Sequence, residues 1–328
     1  MNRVPTRRGK GLTAASLAGI GLVAASVAMY GQERTTLYLF AMDQKGTPVL
    51  DLKVADISVK EDAGPSTILS VRRFGWPLKV TVLLDNGPST ESALVHYRTG
   101  LKKFFAGLPP QVPVSLIATA PNPRWLIRET RDRLQIEKGL SLITTDEGLG
   151  RFSDALGEYA TRLDTEFRDV SSEQMPPYLP VLVSIATSNQ DGSDVRREAN
   201  LKMITSLRRH LVWIAMIMVS PSRSATTPGG LPTIDSDEGQ NAEIAKAVQE
   251  ATRGSYVPIT GSGTSALSSS VLPDLAQAIS ARYIRQMTQH QIVVERAAGA
   301  RGAMKDFSLS LLHHPGAKIV VSTDGNQP

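Results

Sequence analysis

The chain has 328 residues, enough for one large domain with additions or for two domains. Its 41% hydrophobic and 20% charged residues exclude wholesale disorder, and the lack of any cysteine excludes disulfides, thiol catalysis and thiolate metal sites. The formal charge of +5 is no argument for nucleic-acid binding, because Arg3, Arg7, Arg8 and Lys10 supply four of those five charges before the first acidic residue, Glu33.

Those basic residues precede a run rich in Ala, Gly, Leu and Val from Gly11 to Gly31. A basic head, an apolar stretch and small residues at its end predict a secretory signal over residues 1–28, with Ser26 and Ala28 at the small-x-small positions. The rival is an uncleaved anchor through residues 11–31, since about 20 apolar residues can span a bilayer. The expected location is therefore exported, periplasmic or extracellular, with contact to a membrane only through this segment.

Residues 32–77 read as a small antiparallel β region. "TTLYLFAMDQKGTPVLDL" (35–52) alternates and then turns, and "ADISVKEDAGPSTILSVRRF" (55–74) holds two β patterns about a turn at Asp62 to Pro65. From residue 78 the rhythm changes. "LKVTVLLD", "VPVSLIATA" (112–120), "LPVLVSIATS" (179–188) and "LVWIAMIMVS" (211–220) are near-continuous apolar runs, as expected of strands covered on both faces, and "RWLIRE" (124–129) reads as an edge strand. Between them, Leu94, Tyr97, Leu101, Phe104 and Leu108 make one helical stripe, and Phe152, Leu156, Tyr159 and Leu163 make another. A basic helix is expected around Val195 to Arg209. A polar loop follows over 221–240, then helices near 241–253 and 271–285 with a short strand at 255–259. "GSGTSALSSS" reads as a mobile loop. The tail, "QIVVER" (291–296) and "FSLSLL" to "AKIVVST" (307–323), returns to alternation.

Alternating strands and helices imply an α/β fold: a doubly wound, mostly parallel sheet over 78–260. Residues 261–328 are expected to supply a helix and strands that pack on 32–77 as a small β-sandwich-like accessory.

"PLKVTVLLDNGPS", "GLGRFSDALGEYA", "VLVSIATSNQDGS" and "AVQEATRGSYVPI" stand in the order of the core motifs of the von Willebrand factor A-related proteins, of the exported bacterial (acidobacterial-type) kind. "GTPVLDLKVADISVKEDAGPSTI" is similar to their N-terminal β segment. The resemblance covers about 35–323. It implies a metal-ion-dependent adhesion site, in which carboxylate and hydroxyl oxygens hold a divalent cation whose open position takes an acidic group from a partner. The first turn of that site is Asp-x-Ser-x-Ser. Here Asp85 and Ser89 match, and Gly87 replaces a ligand serine. Gly150 or Arg151 stands where the second loop offers a threonine, and Ser188, after Thr187, stands where the third loop carries an aspartate. Asp191, Asp146 and Glu147 are the available substitutes. The site is thus degenerate and expected to be unoccupied, with no cofactor, Mg²⁺ being the ion it would take.

Even without metal the turn makes sense. Pro88 suits a first helical turn, Gly87 gives backbone freedom, and Asp85 or Ser89 can cap N–H groups. Elsewhere no Gly-x-Ser-x-Gly elbow, phosphate loop or His-Glu-x-x-His occurs. His313-His314 reads as a turn or surface pair, and His96 and His210 have no carboxylate at ligand spacing nearby. Met216, Met218 and Trp213 read as core, and Trp76 and Trp125 as packing or contact residues. Arg196, Arg197, Lys202, Arg208 and Arg209 read as a solvated helix face, with an acidic partner as the alternative.

These readings predict a non-catalytic, exported interaction module that binds an unknown protein partner, and no nucleic acid, at the carboxyl edge of the central sheet. Asp85, Asn86, Ser89, Ser188 and Asp191 should line the crevice. The alternatives are an exported hydrolase with an unrecognised site, and an envelope protein held by the N-terminal segment.

Overall fold

Alternation at the chain's two ends and unbroken apolar runs between them sort the strands into two sheets. The computed structural model describes residues 33–326 except 62–63, 171–174, 189–190, 195–196, 221–239, 261–262, 298–299, 301–303 and 305–306. The expected signal segment and nearly all of the 221–240 loop lie outside the described residues.

The N-terminal strands β1 (Arg34–Met42), β2 (Ile57–Glu61) and β3 (Gly64–Phe74) pair only antiparallel. The central strands are β4 (Leu78–Leu84), β5 (Val114–Ala118), β6 (Arg124–Thr130), β7 (Leu179–Thr187), β8 (Trp213–Ser220) and β9 (Ser255–Thr260), in the spatial order β6-β5-β4-β7-β8-β9. All are parallel except β6, the antiparallel edge strand. Every residue of β5 and β7 is buried, which is why these segments show no alternation.

Helices α1 (Leu94–Gly107), α2 (Arg133–Ser141) and α6 (Leu272–Thr288) share one apolar cluster with the sheet. Helices α3 (Phe152–Glu166), α4 (Arg197–Arg209) and α5 (Gln240–Thr252) form the other. The architecture is therefore a doubly wound α/β layer. Met216 and Met218 are fully buried on the α3 side, whereas Trp213 is only partly covered.

Helix α6, expected among the residues that pack on 32–77, also joins the core of the α/β layer. Leu272, Ala276 and Ile279 of α6 are buried in the α1-side cluster, and the same helix also meets β1 and β3 of the N-terminal region, as expected. The stretch expected to be a mobile loop ends in a π-helical turn, Leu267–Val271, that continues into α6. Gly100 makes this possible: a Cβ there would lie 2.8 Å from the Leu267 carbonyl oxygen, so α1 approaches this turn more closely than any side chain would allow.

Strands β10 (Gln289–Glu295), β11 (Phe307–Leu311) and β12 (Lys318–Ser322) complete the second sheet, in the order β11-β2-β3-β10-β1-β12. Leu37 and Leu39 of β1 and Ile292 and Val294 of β10 are fully buried in a cluster made of this sheet and its loops. The sheet curls over its own apolar face, as the sandwich-like expectation requires. Trp76, in the short link to β4, is buried and donates its indole N–H to the Pro176 carbonyl at 2.8 Å, so it is a packing residue.

Candidate functional site

In a doubly wound sheet the chain leaves β4 toward β5 on one side and later returns to β7 on the other. The loops after these strands diverge, and a crevice opens at their carboxyl ends. Asp85 sits at this point and is buried. Its Oδ1 accepts from the Gly87 N–H at 2.9 Å. Its Oδ2 accepts from the Thr187 hydroxyl at 2.6 Å and the Thr187 N–H at 3.2 Å, which ties the end of β4 to the end of β7.

Gly150 lies directly over this carboxylate, and a Cβ at Gly150 would stand 2.7 Å from Asp85 Cγ. The second-loop position that would offer a threonine hydroxyl is thus occupied by bare backbone packed on the carboxyl group. Gly87 is likewise confined, its Cβ position 3.1 Å from the Gly148 carbonyl oxygen.

Asn86 is fully buried and joins three segments. Its amide N–H groups donate to the Thr144 carbonyl at 2.9 Å and Asp146 Oδ2 at 2.7 Å, and its Oδ1 accepts from the Ala120 N–H at 3.1 Å. Asp146 also pairs with Arg124. Burial pushes the Asp146 carboxyl up, but the bonds from Arg124 and Asn86 outweigh it and leave the group below its ordinary range.

Asp191 does not turn toward Asp85. Its carboxylate caps α3, accepting from the Phe152 N–H at 3.0 Å, the Ser153 N–H at 3.2 Å and the Ser153 hydroxyl at 2.5 Å, and also from Ser193. A carboxylate here satisfies N–H groups at a helix start, where the helix dipole favours negative charge. Gly192 N–H donates to the Gly150 carbonyl at 2.9 Å and closes the circuit. Ser188 is buried, 3.0 Å from the Ser220 hydroxyl. Ser89 is exposed in a 3-10 turn, Pro88–Ala93, whose inward hydroxyl is that of Thr90, donating to the Gly87 carbonyl at 2.7 Å.

Asp85, Asn86 and Asp191 are thus tied to the same loops at the carboxyl edge, Ser188 bonds to Ser220 on the neighbouring strand β8, and Ser89 stands exposed beside them. Sequence reasoning missed Asn86 as the tie between loops, and Arg151, which reaches Asn122, Asp154 and Asp194. The residues do not fit a divalent cation. A hard ion needs about six oxygens, and the one carboxylate at its expected position already accepts from three donors with backbone packed against it.

A second cluster was invisible in the sequence. His210 is buried and its Nε2 lies 2.6 Å from Asp164 Oδ1, beside a cavity of about 760 Å³ between the α3 and α4 ends and the antiparallel sheet. Ser206 donates to the same Asp164 oxygen at 2.7 Å, and Arg209 pairs with it too. Burial raises the Asp164 carboxyl, and the bonds from Ser206, His210 and Arg209 bring it below its usual value. The aspartate stands between serine and histidine, so this is not the relay in which histidine takes a proton from a nucleophile. Among the other candidates, His313 pairs with Asp56 in a turn, and Lys202 with Glu198 on the α4 surface. Arg196 lies outside the described residues.

No family model matches the chain, and no curated protein does. Solved structures similar to it include a von Willebrand factor type A protein from Catenulispora acidiphila, 10% identical, covering 89% of this chain and 72% of that one with a TM-score of 0.47. BatB from Bacteroides thetaiotaomicron is 14% identical, covering 64% of this chain and 98% of that one with a TM-score of 0.42. The manganese-loaded TRAP protein of Plasmodium vivax is 12% identical, with 79% and 98% covered and a TM-score of 0.42. These likenesses concern fold alone, and the strand order above stands without them. Among the described residues, no helix is long and apolar enough to cross a membrane.

Proposed function

We propose that the chain is a non-catalytic interaction module of the exported bacterial, von Willebrand factor A-related kind. It holds a protein partner at the carboxyl edge of its central sheet without a metal ion. The observation that carries this reading is the cross-bonded loop network: the segments after β4, β6 and β7 are fastened to one another through Asp85, Asn86 and Gly150. Such loops form a preorganised platform, which lowers the ordering cost of binding. On its outer side stand exposed Ser89, Glu91, Glu147 and Leu149, an apolar point amid carboxylates. That surface suits a partner with basic groups around an apolar contact.

A photo-crosslinking residue placed at Leu149 should give a partner adduct that survives chelation. The same residue at exposed Leu134, on α2 at the opposite end of the sheet, should give none. No adduct from position 149 would sink the placement, and an adduct lost with chelator would sink the metal-free part.

The hydrolase alternative has one observation in its favour, the buried His210 beside Asp164 and a cavity. Among the described residues no nucleophile is bonded to that histidine, so we assign the cluster to tying α3 to the end of α4.

A further inference from the structure

At the amino-terminal end of the parallel strands, opposite the crevice, lies a cavity of about 320 Å³ between α3 and the edge strand β6. It exists because α3, α4 and α5 cover the middle of the sheet and leave the β5–β6 side of that face open. Strand positions facing it carry hydroxyls where a covered face would carry methyls. Thr81 and Ser115 are buried with their oxygens 3.0 Å apart.

The walls are aromatic and basic. The Arg162 guanidinium lies over the rings of Trp125 and Tyr159, 4.7 and 5.0 Å from their centroids. Across the cavity Lys79 lies over the Tyr178 ring at 4.0 Å and pairs with Glu129 at 3.0 Å. The Tyr178 hydroxyl is engaged by Glu166, which approaches Arg162 only to 3.8 Å. No hydrogen bond to Arg162 or Arg128 is formed among the described residues. Three cations face two carboxylates here, and both carboxylates already have partners.

We propose that this cavity binds a small organic oxyanion, a phosphate ester or carboxylate with an apolar body, seated on Arg162. A guanidinium held against two rings presents its donors as a planar fork, which matches the two oxygens of a carboxylate or phosphate. Stacking removes most of the rotamer freedom a surface arginine would otherwise lose on binding. Arg128 adds a second cation at the rim, the Thr81–Ser115 pair can donate to a buried polar atom, and Val80, Pro113 and Leu163 give the apolar body a surface. The volume is at the low end of ligand sites, so the ligand is small.

Calorimetric titration of the full chain with phenyl phosphate, benzoate, inorganic phosphate and benzyl alcohol tests this. Saturable binding of phenyl phosphate or benzoate is expected, and the tighter of the two identifies the anion. Inorganic phosphate, lacking the body, should bind at least tenfold more weakly, and benzyl alcohol not at all. Arg162→Lys, which keeps the charge but not the fork, should weaken binding about tenfold. Arg128→Gln, at an exposed position that leaves the fold intact, should weaken it several-fold. No saturable binding of either organic anion would overturn the proposal, as would binding of benzyl alcohol equal to that of phenyl phosphate, or unchanged binding in Arg162→Lys.

Discussion

The two ends of the central sheet are both rich in charge and use it in opposite ways. At the carboxyl end Asp85, Asp146 and Asp191 all turn their oxygens onto donors of the chain itself. At the amino end Arg162 is held in place by rings, makes no hydrogen bond among the described residues and meets a carboxylate, that of Glu166, only at 3.8 Å. The presence of a charged residue in a cleft therefore says little about what it can bind. What matters is how many of its bonds the fold has already made.

If the carboxyl-end carboxylates are structural, removing them must cost stability in proportion to the donors they satisfy. Asp85→Ala leaves two N–H groups and one hydroxyl without their acceptor in a buried place, and should lower stability by about 3 kcal/mol in denaturant titration. A loss below about 0.5 kcal/mol would break the comparison. Gly150→Ala sharpens it, because the added methyl presses on a carboxylate that has nowhere to move. About 2 kcal/mol should be lost in thermal melts, the scale of overpacking. Asp191→Ala removes only the α3 cap and should cost about 1 kcal/mol.

Acid should separate the same effects. The folded-state pKa of Asp146 is lowered, so its contribution is fully present above its ordinary value of 3.8 and is lost as pH falls through the lower folded value. Asp146→Asn should therefore flatten the stability profile below about pH 4, measured as the unfolding midpoint against pH. Trp125→Ala, at the amino end, should change stability least, by about 0.5 kcal/mol, since the ring is 38% exposed and contributes mainly its contact with Arg162.

The central strands were legible because burial on both faces demands unbroken apolar runs, and "RWLIRE" was legible as an edge because it is not such a run. Helix α2 was not foreseen. Its pattern is polar, and the one signal available was Asp132, whose side chain caps it by accepting from the Leu134 N–H. That α6 also joins the α1-side cluster was hidden by the serine-rich stretch before it, where Leu267 is the buried apolar residue among the described ones.

At the site, the sequence disclosed which ligand types were missing at positions 87, 150 and 188. It could not disclose that Gly150 rests on Asp85, because that depends on a loop 65 positions away folding back. Asp191 was expected to line the crevice as a substitute carboxylate, and it caps α3 instead. Nothing local marks that role, since its partners Phe152 and Ser153 lie 39 and 38 residues earlier. The His210–Asp164 pair, 46 residues apart, was hidden for the same reason.

A metal-free carboxyl edge requires that Asp85, the one carboxylate at an expected ligand position, be unavailable to a cation. Calorimetric titration of Mg²⁺, Mn²⁺ and Ca²⁺ into the full chain, beside Asp85→Asn, tests it most directly. No saturable heat is expected with any of the three ions in either protein. A one-to-one binding isotherm in the unaltered chain that disappears in Asp85→Asn would contradict it.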